Sequence, residues 1–252
     1  MMKDILLVQT GGTISCTEDK GELKATSTVT DTVAERYEKE HPGKVHFTVI
    51  KPYTILSENL QPERWAQLTE TINRAFPEKY DGVIVTHGTD SIDFTEAFLN
   101  IHYGAGIRTV GALYPPTDPR TDAFVNFEKA VKLCGPIKAR AFDYHFYKGL
   151  VMTAYPGLDY SLYNLEASKP DFIIHRMYHS GTGCTQGAPR YNLAEFVKKA
   201  SALNIPVYAI GFPSDSNIYA GRGLLEEAGL KFVPDLSFSE VLVKLSLGFQ
   251  LP

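Results

Sequence analysis

Ile5-Leu6-Leu7-Val8-Gln9-Thr10-Gly11-Gly12-Thr13 is the stretch on which the reading of the fold turns. Four consecutive apolar residues predict a buried strand, and the two glycines behind them let the backbone turn sharply and present the next side chain. That side chain is the Thr13 hydroxyl. A second stretch repeats the plan, with Val83-Ile84-Val85 running into His87-Gly88-Thr89-Asp90. If the two strands are parallel neighbours, both threonine-bearing turns open at the carboxyl edge of the sheet, where ligands of open α/β sheets bind.

Outward from these anchors the chain alternates. Residues 15–31 are small, charged or hydroxylic without an apolar stripe, which predicts an irregular surface loop hanging off Thr13. A loop so placed acts either as a lid or as a plain connection, and its length favours neither. Val45 to Ile50 reads as a strand. Trp65, Leu68, Ile72 and Ala75 recur at helical spacing behind Pro62, and a strand follows at Asp81 to Thr86. A helix from Ile92 to His102 sets Phe94, Ala97, Phe98 and Ile101 on one face. After a strand at Ile107 to Gly111, Pro115, Pro116 and Pro119 impose an irregular loop. Phe124, Phe127, Val131 and Cys134 then mark another helix.

Composition breaks at Gly135 to Lys148, which reads as a link to a second unit. Beyond it come strands at Gly149 to Ala154, Asp171 to His175 and Pro206 to Ile210. Helices are predicted near Ser161 to Ala167, along Leu193, Phe196, Val197 and Leu203, and at Ile218 to Ala228 and Ser237 to Phe249. The expected fold is α/β: a mostly parallel sheet with helices on both faces, plus a second, smaller α/β domain. The expected boundaries are 1–134 for the first domain, 135–148 for a short linker and 149–252 for the second.

A chain of 252 residues with 44% hydrophobic composition buries a real core. The net charge of −4 carries no basic excess, so a small-molecule substrate is expected rather than nucleic acid or a membrane surface. Cys16, Cys134 and Cys184 lie far apart without metal or redox spacing, which fits reduced thiols in the cytoplasm. No apolar run has the length of a secretory core or a membrane span.

A threonine hydroxyl is a weak nucleophile at neutral pH and needs a base for its proton and donors for the oxyanion. Glycine turns supply exposed backbone N–H groups, which suits Gly11-Gly12-Thr13 and Gly88-Thr89. Asp90 is placed to fix an amine or steer a base, and Ser57 to hold a carboxylate. Each signal alone is also what an ordinary turn or helix cap looks like.

Together these residues resemble the bacterial-type L-asparaginase family. The matching stretches are Thr10-Gly11-Gly12-Thr13-Ile14, Ser57-Glu58-Asn59 ahead of the Trp65 helix, His87-Gly88-Thr89-Asp90-Ser91, and Asp122 with Asn126. Tyr155-Pro156-Gly157, Gly181-Thr182-Gly183 and Tyr219-Ala220-Gly221 extend the likeness into the second half. The resemblance implies hydrolysis of a side-chain amide to carboxylate and ammonia without metal or cofactor. It implies Thr13 as nucleophile, Thr89 as second catalytic threonine, and Asp90 as amine ligand and part of the Thr89 relay. Ser57 and Glu58 would hold the α-carboxylate and amine. A homo-oligomer, dimer or tetramer, is expected on the same ground.

Two departures stand out. The family's lid tyrosine has no counterpart between Thr13 and Tyr37, where Glu22 or Leu23 falls in its place. The family's lysine beside Thr89 sits on a strand and hairpin for which only the fourteen residues Gly135 to Lys148 remain. Lys138 and Lys148 lie in that segment without a recognisable motif, and His145 and Tyr147 there are the candidates to take the lysine's place. Two functions are therefore carried forward: an amidohydrolase with a non-standard relay, or a non-catalytic amino-acid-binding relative. His175 and His179 fall at a strand end, where a four-residue spacing does not converge on a metal. His87 reads as a structural turn residue and Cys184 as an idle thiol. The Thr10–Thr13 turn lacks the third glycine or the lysine of a phosphate-binding loop.

Overall fold

The computed structural model describes residues 2–19, 22–25, 29–215, 219 and 221–251. The chain divides into two compact units, Met1–Asp143 and Tyr144–Pro252. The first runs through β1 (Lys3–Gln9), a hairpin of β2 (Cys16–Asp19) and β3 (Glu22–Ala25), α1 (Val29–Glu40), β4 (Val45–Ile50) and α2 (Pro62–Arg74). It continues with β5 (Gly82–Thr86), α3 (Ile92–Tyr103), β6 (Ile107–Val110) and α4 (Ala123–Leu133). Its parallel sheet has the order β4-β1-β5-β6. Leu7 stands opposite Ile84 and Gln9 opposite Thr86, so the two threonine turns leave neighbouring strands at the same level.

Both sheet faces are covered, as a near-continuous apolar strand requires. Ile5, Leu7, Phe47 and Ile84 pack with Val33 and Ala34 of α1 and with Phe127, Ala130 and Val131 of α4. Leu6, Val8, Val83 and Val85, which alternate to the other face, are also fully buried. α2 and α3 meet each other through Trp65 stacked on Phe98 at 5.1 Å.

The second unit contains β7 (Gly149–Thr153), α5 (Leu165–Ser168), β8 (Phe172–Arg176), α6 (Leu193–Ala202), β9 (Val207–Ile210), α7 (Gly221–Glu227), β10 (Lys231–Phe232) and α8 (Phe238–Ser246). Its sheet, β10-β9-β8-β7, is again parallel. Met152, Ile173, Val207 and Ala209 bury against α6 and α7, while Phe172, Ile174, Tyr208 and Ile210 bury against Val241 and Leu245 of α8. Ser237 starts α8 with a reciprocal cap to Glu240.

Three local expectations are corrected. Residues 15–31 are not one irregular loop: Cys16 to Asp19 pairs antiparallel with Glu22 to Ala25, and α1 starts at Val29. Strands made mostly of charged and polar residues lack the apolar alternation by which a strand is recognised. In α3 the expected Ala97 and Phe98 are buried, but so are Thr95, Leu99, His102 and Tyr103, while Phe94 and Ile101 are only half-buried, because polar residues of this helix have partners inside. The expected helix at Ser161 to Ala167 is a tight turn, Tyr160–Leu162, followed by the four residues of α5. The start of the helix expected at Ile218 lies outside the described residues.

Candidate active site

Three turns touch at the carboxyl end of the sheet. Past the ends of β1 and β5 the Thr10 amide and hydroxyl both donate to the Thr86 carbonyl, the hydroxyl at 2.6 Å. Ile55 N–H donates to the Thr10 carbonyl at 3.0 Å, and Gly12 N–H to the Ile55 carbonyl at 3.3 Å, which lays the chain before Ser57 alongside the first turn. The Ser91 hydroxyl donates to the Ser57 carbonyl at 2.7 Å, fastening that segment to the second turn.

At the centre stand two glycines. Gly12 has φ +80° and lies so close to Gly88 that any Cβ would overlap the Gly88 backbone. A Cβ on Gly88 would in turn fall on the Ser57 hydroxyl and 2.6 Å from the Ser57 Cβ. Gly12, Gly88 and Ser57 are buried, Thr13 is half-buried, and Thr89, Asp90 and Glu58 reach the surface. The sequence-predicted residues thus come from three turns that meet at one end of the sheet. The Gly12 N–H, expected as an exposed donor, is instead directed inward to Ile55. The Gly12 carbonyl accepts the Ser15 N–H at 2.8 Å and the Cys16 thiol at 3.2 Å. Burial, and then the nearby Glu58 charge, raise the pKa of that thiol.

Beneath the second turn runs a buried chain of hydrogen bonds that the motifs alone did not reveal. The Trp65 indole N–H donates to the Thr95 hydroxyl at 3.0 Å, Thr95 lies 2.9 Å from His87 Nε2, and His87 Nδ1 lies 2.9 Å from the Gly88 carbonyl. An indole only donates and a carbonyl only accepts, so Thr95 gives its proton to Nε2 and His87 carries its proton on Nδ1. Burial lowers the His87 pKa, which keeps the ring neutral and holds this tautomer. The Gly88 carbonyl is therefore turned inward, and in a trans peptide the Thr89 N–H points the opposite way, out of the fold. The available sequence signal was a threonine among the aromatic residues of a buried helix face.

A pocket of about 610 Å³ adjoins this end of the sheet, lined among others by Thr89, Arg108, Gly111, Asp122, Asn126 and Lys129. Asp122 accepts the Leu113 N–H and the Asn126 amide, both at 2.8 Å, and Asn126 also donates to the Gly111 carbonyl at 3.1 Å. Lys138 lies elsewhere, by Glu78 ahead of β5, at the opposite edge of the sheet. His145, Tyr147 and Lys148 belong to the second unit, where Tyr147 N–H donates to the Ser246 carbonyl and Lys148 N–H to Asp171. His175, fully buried, pairs with the Tyr160 hydroxyl at 2.8 Å. Among the described residues no three His, Cys, Asp or Glu side chains are grouped to hold a metal, and no helix is long and apolar enough to cross a membrane.

The fold is that of an open α/β protein in which two adjacent parallel strands release glycine-threonine turns at the same end of the sheet. Residues 4–144 match the model of the N-terminal asparaginase family. The chain belongs to the asparaginase family. The fold is shared with the thermostable L-asparaginase of Thermococcus kodakarensis, at a TM-score of 0.80 and 20% identity over 97% of this chain and 92% of that one. L-asparaginase I of Vibrio cholerae aligns at 0.75 and 18% identity, over 98% and 92%. In sequence, a subunit of the glutamyl-tRNA(Gln) amidotransferase of Archaeoglobus fulgidus is 33% identical over 136 residues, 52% of this chain and 32% of that protein. The corresponding amidotransferase subunit of Saccharolobus islandicus is 30% identical over 133 residues, 51% and 29%. The chain thus spans about a third of the length of these curated relatives.

Proposed function

We propose that the chain is an amidohydrolase that converts the side-chain amide of asparagine, or of a related small amide, to a carboxylate and ammonia. The observation that carries the reading is the contact of Gly88 with both Gly12 and Ser57, which draws the Thr13, Thr89 and Ser57 turns together. Thr13 is the attacking hydroxyl and Thr89 the second threonine. Asp90 takes the substrate amine, and Ser57 with Glu58 the α-carboxylate and amine. Thr13 Oγ bonds to the amide carbon, and the proton it loses ends on the departing nitrogen, which leaves as ammonia. Water then splits the ester and restores the Thr13 hydroxyl. The outward Thr89 N–H supports the developing oxyanion. A homo-oligomer of dimeric or tetrameric size and a cytoplasmic setting belong to the same reading.

The test is ammonia release from L- and D-asparagine, glutamine and simple amides, against Thr13→Ala. Turnover abolished in the variant is expected; wild-type turnover no greater than the variant's would overturn the reading. A second reading, an amino-acid-binding relative without turnover, is favoured by one observation, the lack of a tyrosine between Thr13 and Tyr37. It predicts calorimetric binding of aspartate without product.

A further inference from the structure

Thr89 must be held and polarised to act on a neighbouring hydroxyl, and its own segment offers only the Asp90 carboxylate. The pocket against Thr89 contains four ionisable side chains: Glu96 of α3, Arg108 of β6, and Asp122 and Lys129 around α4. Asp122 is engaged by Leu113 and Asn126. Arg108 turns a guanidinium N–H onto the Ile107 carbonyl at 3.0 Å, so its fork is already engaged by backbone. On the solvent side of α4, Glu128 and Lys132 pair with each other at 2.7 Å. Lys129 has no ion pair among the described residues and is exposed.

We propose that Lys129 is the positioning cation of Thr89, a reading that rests on the amidohydrolase assignment above. Gly111 provides the link: a Cβ there would lie 3.3 Å from the Thr89 methyl, and its carbonyl accepts the Asn126 amide at 3.1 Å. Lys129 is one helical turn beyond Asn126 on the same face, about 5–6 Å away between Cβ atoms. Helical side chains lean toward their helix's N-terminus, which in α4 is the end at Asp122, Gly111 and Thr89. A lysine stem spans that turn. Its ammonium donates to the Thr89 oxygen, turns the Thr89 proton toward the reacting groups and offsets the negative charge beside Asp90. A carboxylate in that place, such as Glu96, would repel the same charge. Lys129 acts by charge and hydrogen bonding alone, so the balance of the reaction is unchanged.

The experiment compares steady-state ammonia release by wild type, Lys129→Met, Lys129→Arg and Glu96→Gln, with aspartate binding measured by calorimetry and folding by thermal denaturation. Lys129→Met is expected to lower kcat about a hundredfold at nearly constant KM and aspartate affinity. Lys129→Arg should recover about a tenth of the wild-type rate, since the charge returns in a different shape. Glu96→Gln should stay within about threefold of wild type. Wild type active well above Thr13→Ala but matched by Lys129→Met would overturn the Lys129 assignment alone. Wild type no more active than Thr13→Ala would overturn the hydrolase reading and this one with it.

Discussion

The Thr95 hydroxyl lies 2.9 Å from His87 Nε2 while accepting the Trp65 indole N–H at 3.0 Å, so one buried oxygen joins α2, α3 and the turn after β5. Thr95 is fully buried and His87 nearly so. Thr95→Val keeps the shape and removes the oxygen, leaving an indole N–H and an imidazole nitrogen unpaired in the core. Each stranded group costs about 1–3 kcal/mol, so urea denaturation should show a loss of about 2–6 kcal/mol. Thr95→Ser should stay within about 1 kcal/mol, because the hydroxyl that joins the two partners survives.

The second unit has its own buried histidine, with consequences for pH. Burial holds His175 neutral, its pKa pushed from 6.5 to about 4. In the unfolded chain it titrates near 6.5, so below that pH the unfolded state binds the extra proton. The contribution is complete above pH 6.5 and is lost as pH falls toward 4, on the order of 3 kcal/mol in total. His102, pushed to about 4 by burial and then by the Arg140 charge, titrates in the same window. His175→Gln can still bond Tyr160 without titrating. Denaturation at about pH 8, 6 and 5 should show a shallower pH dependence in the variant, with the His102 share remaining; an unchanged slope would refute the assignment.

The anchors of the fold were legible because their signals are local. Ile5 to Val8 and Val83 to Val85 are buried on both faces, and the glycines behind them mark where the backbone must turn. The antiparallel pair of Cys16–Asp19 with Glu22–Ala25 was not legible, since its residues carry no apolar alternation. The hydrogen-bonded chain through Thr95 was hidden for a related reason. Its members are 30 and 8 residues apart, and only the packing of α2 on α3 brings them together. Thr89 and Lys129 share a pocket for the same kind of reason, through a contact at Gly111 that no spacing rule encodes.

Thr89 is exposed, so its replacement separates chemistry from folding. Thr89→Val keeps the bulk and the backbone N–H but removes the hydroxyl. Losing a proton-handling group lowers kcat by about two to four powers of ten, whereas an exposed substitution shifts stability by no more than about 0.5 kcal/mol. Steady-state ammonia release together with thermal denaturation tests both halves. A variant with wild-type kcat would remove Thr89 from the reaction, and a large drop in melting temperature would recast it as structural.

Gly12 and Gly43 offer a controlled contrast in what a methyl group does at positive φ. Gly43 sits at φ +70° with nothing within 4 Å of a prospective Cβ, so Gly43→Ala meets only left-handed strain, about 1 kcal/mol. Gly12 sits at φ +80°, and its Cβ would overlap the backbone of Gly88 and His87, which cannot swing aside as a side chain can. Gly12→Ala must therefore push the first turn away from the second, opening the contact that holds Thr13 near Thr89. It should lose several kcal/mol or fail to fold, and any folded fraction should retain little ammonia release. Equal melting temperatures for the two variants, with Gly12→Ala still active, would mean that the two turns do not depend on their close approach.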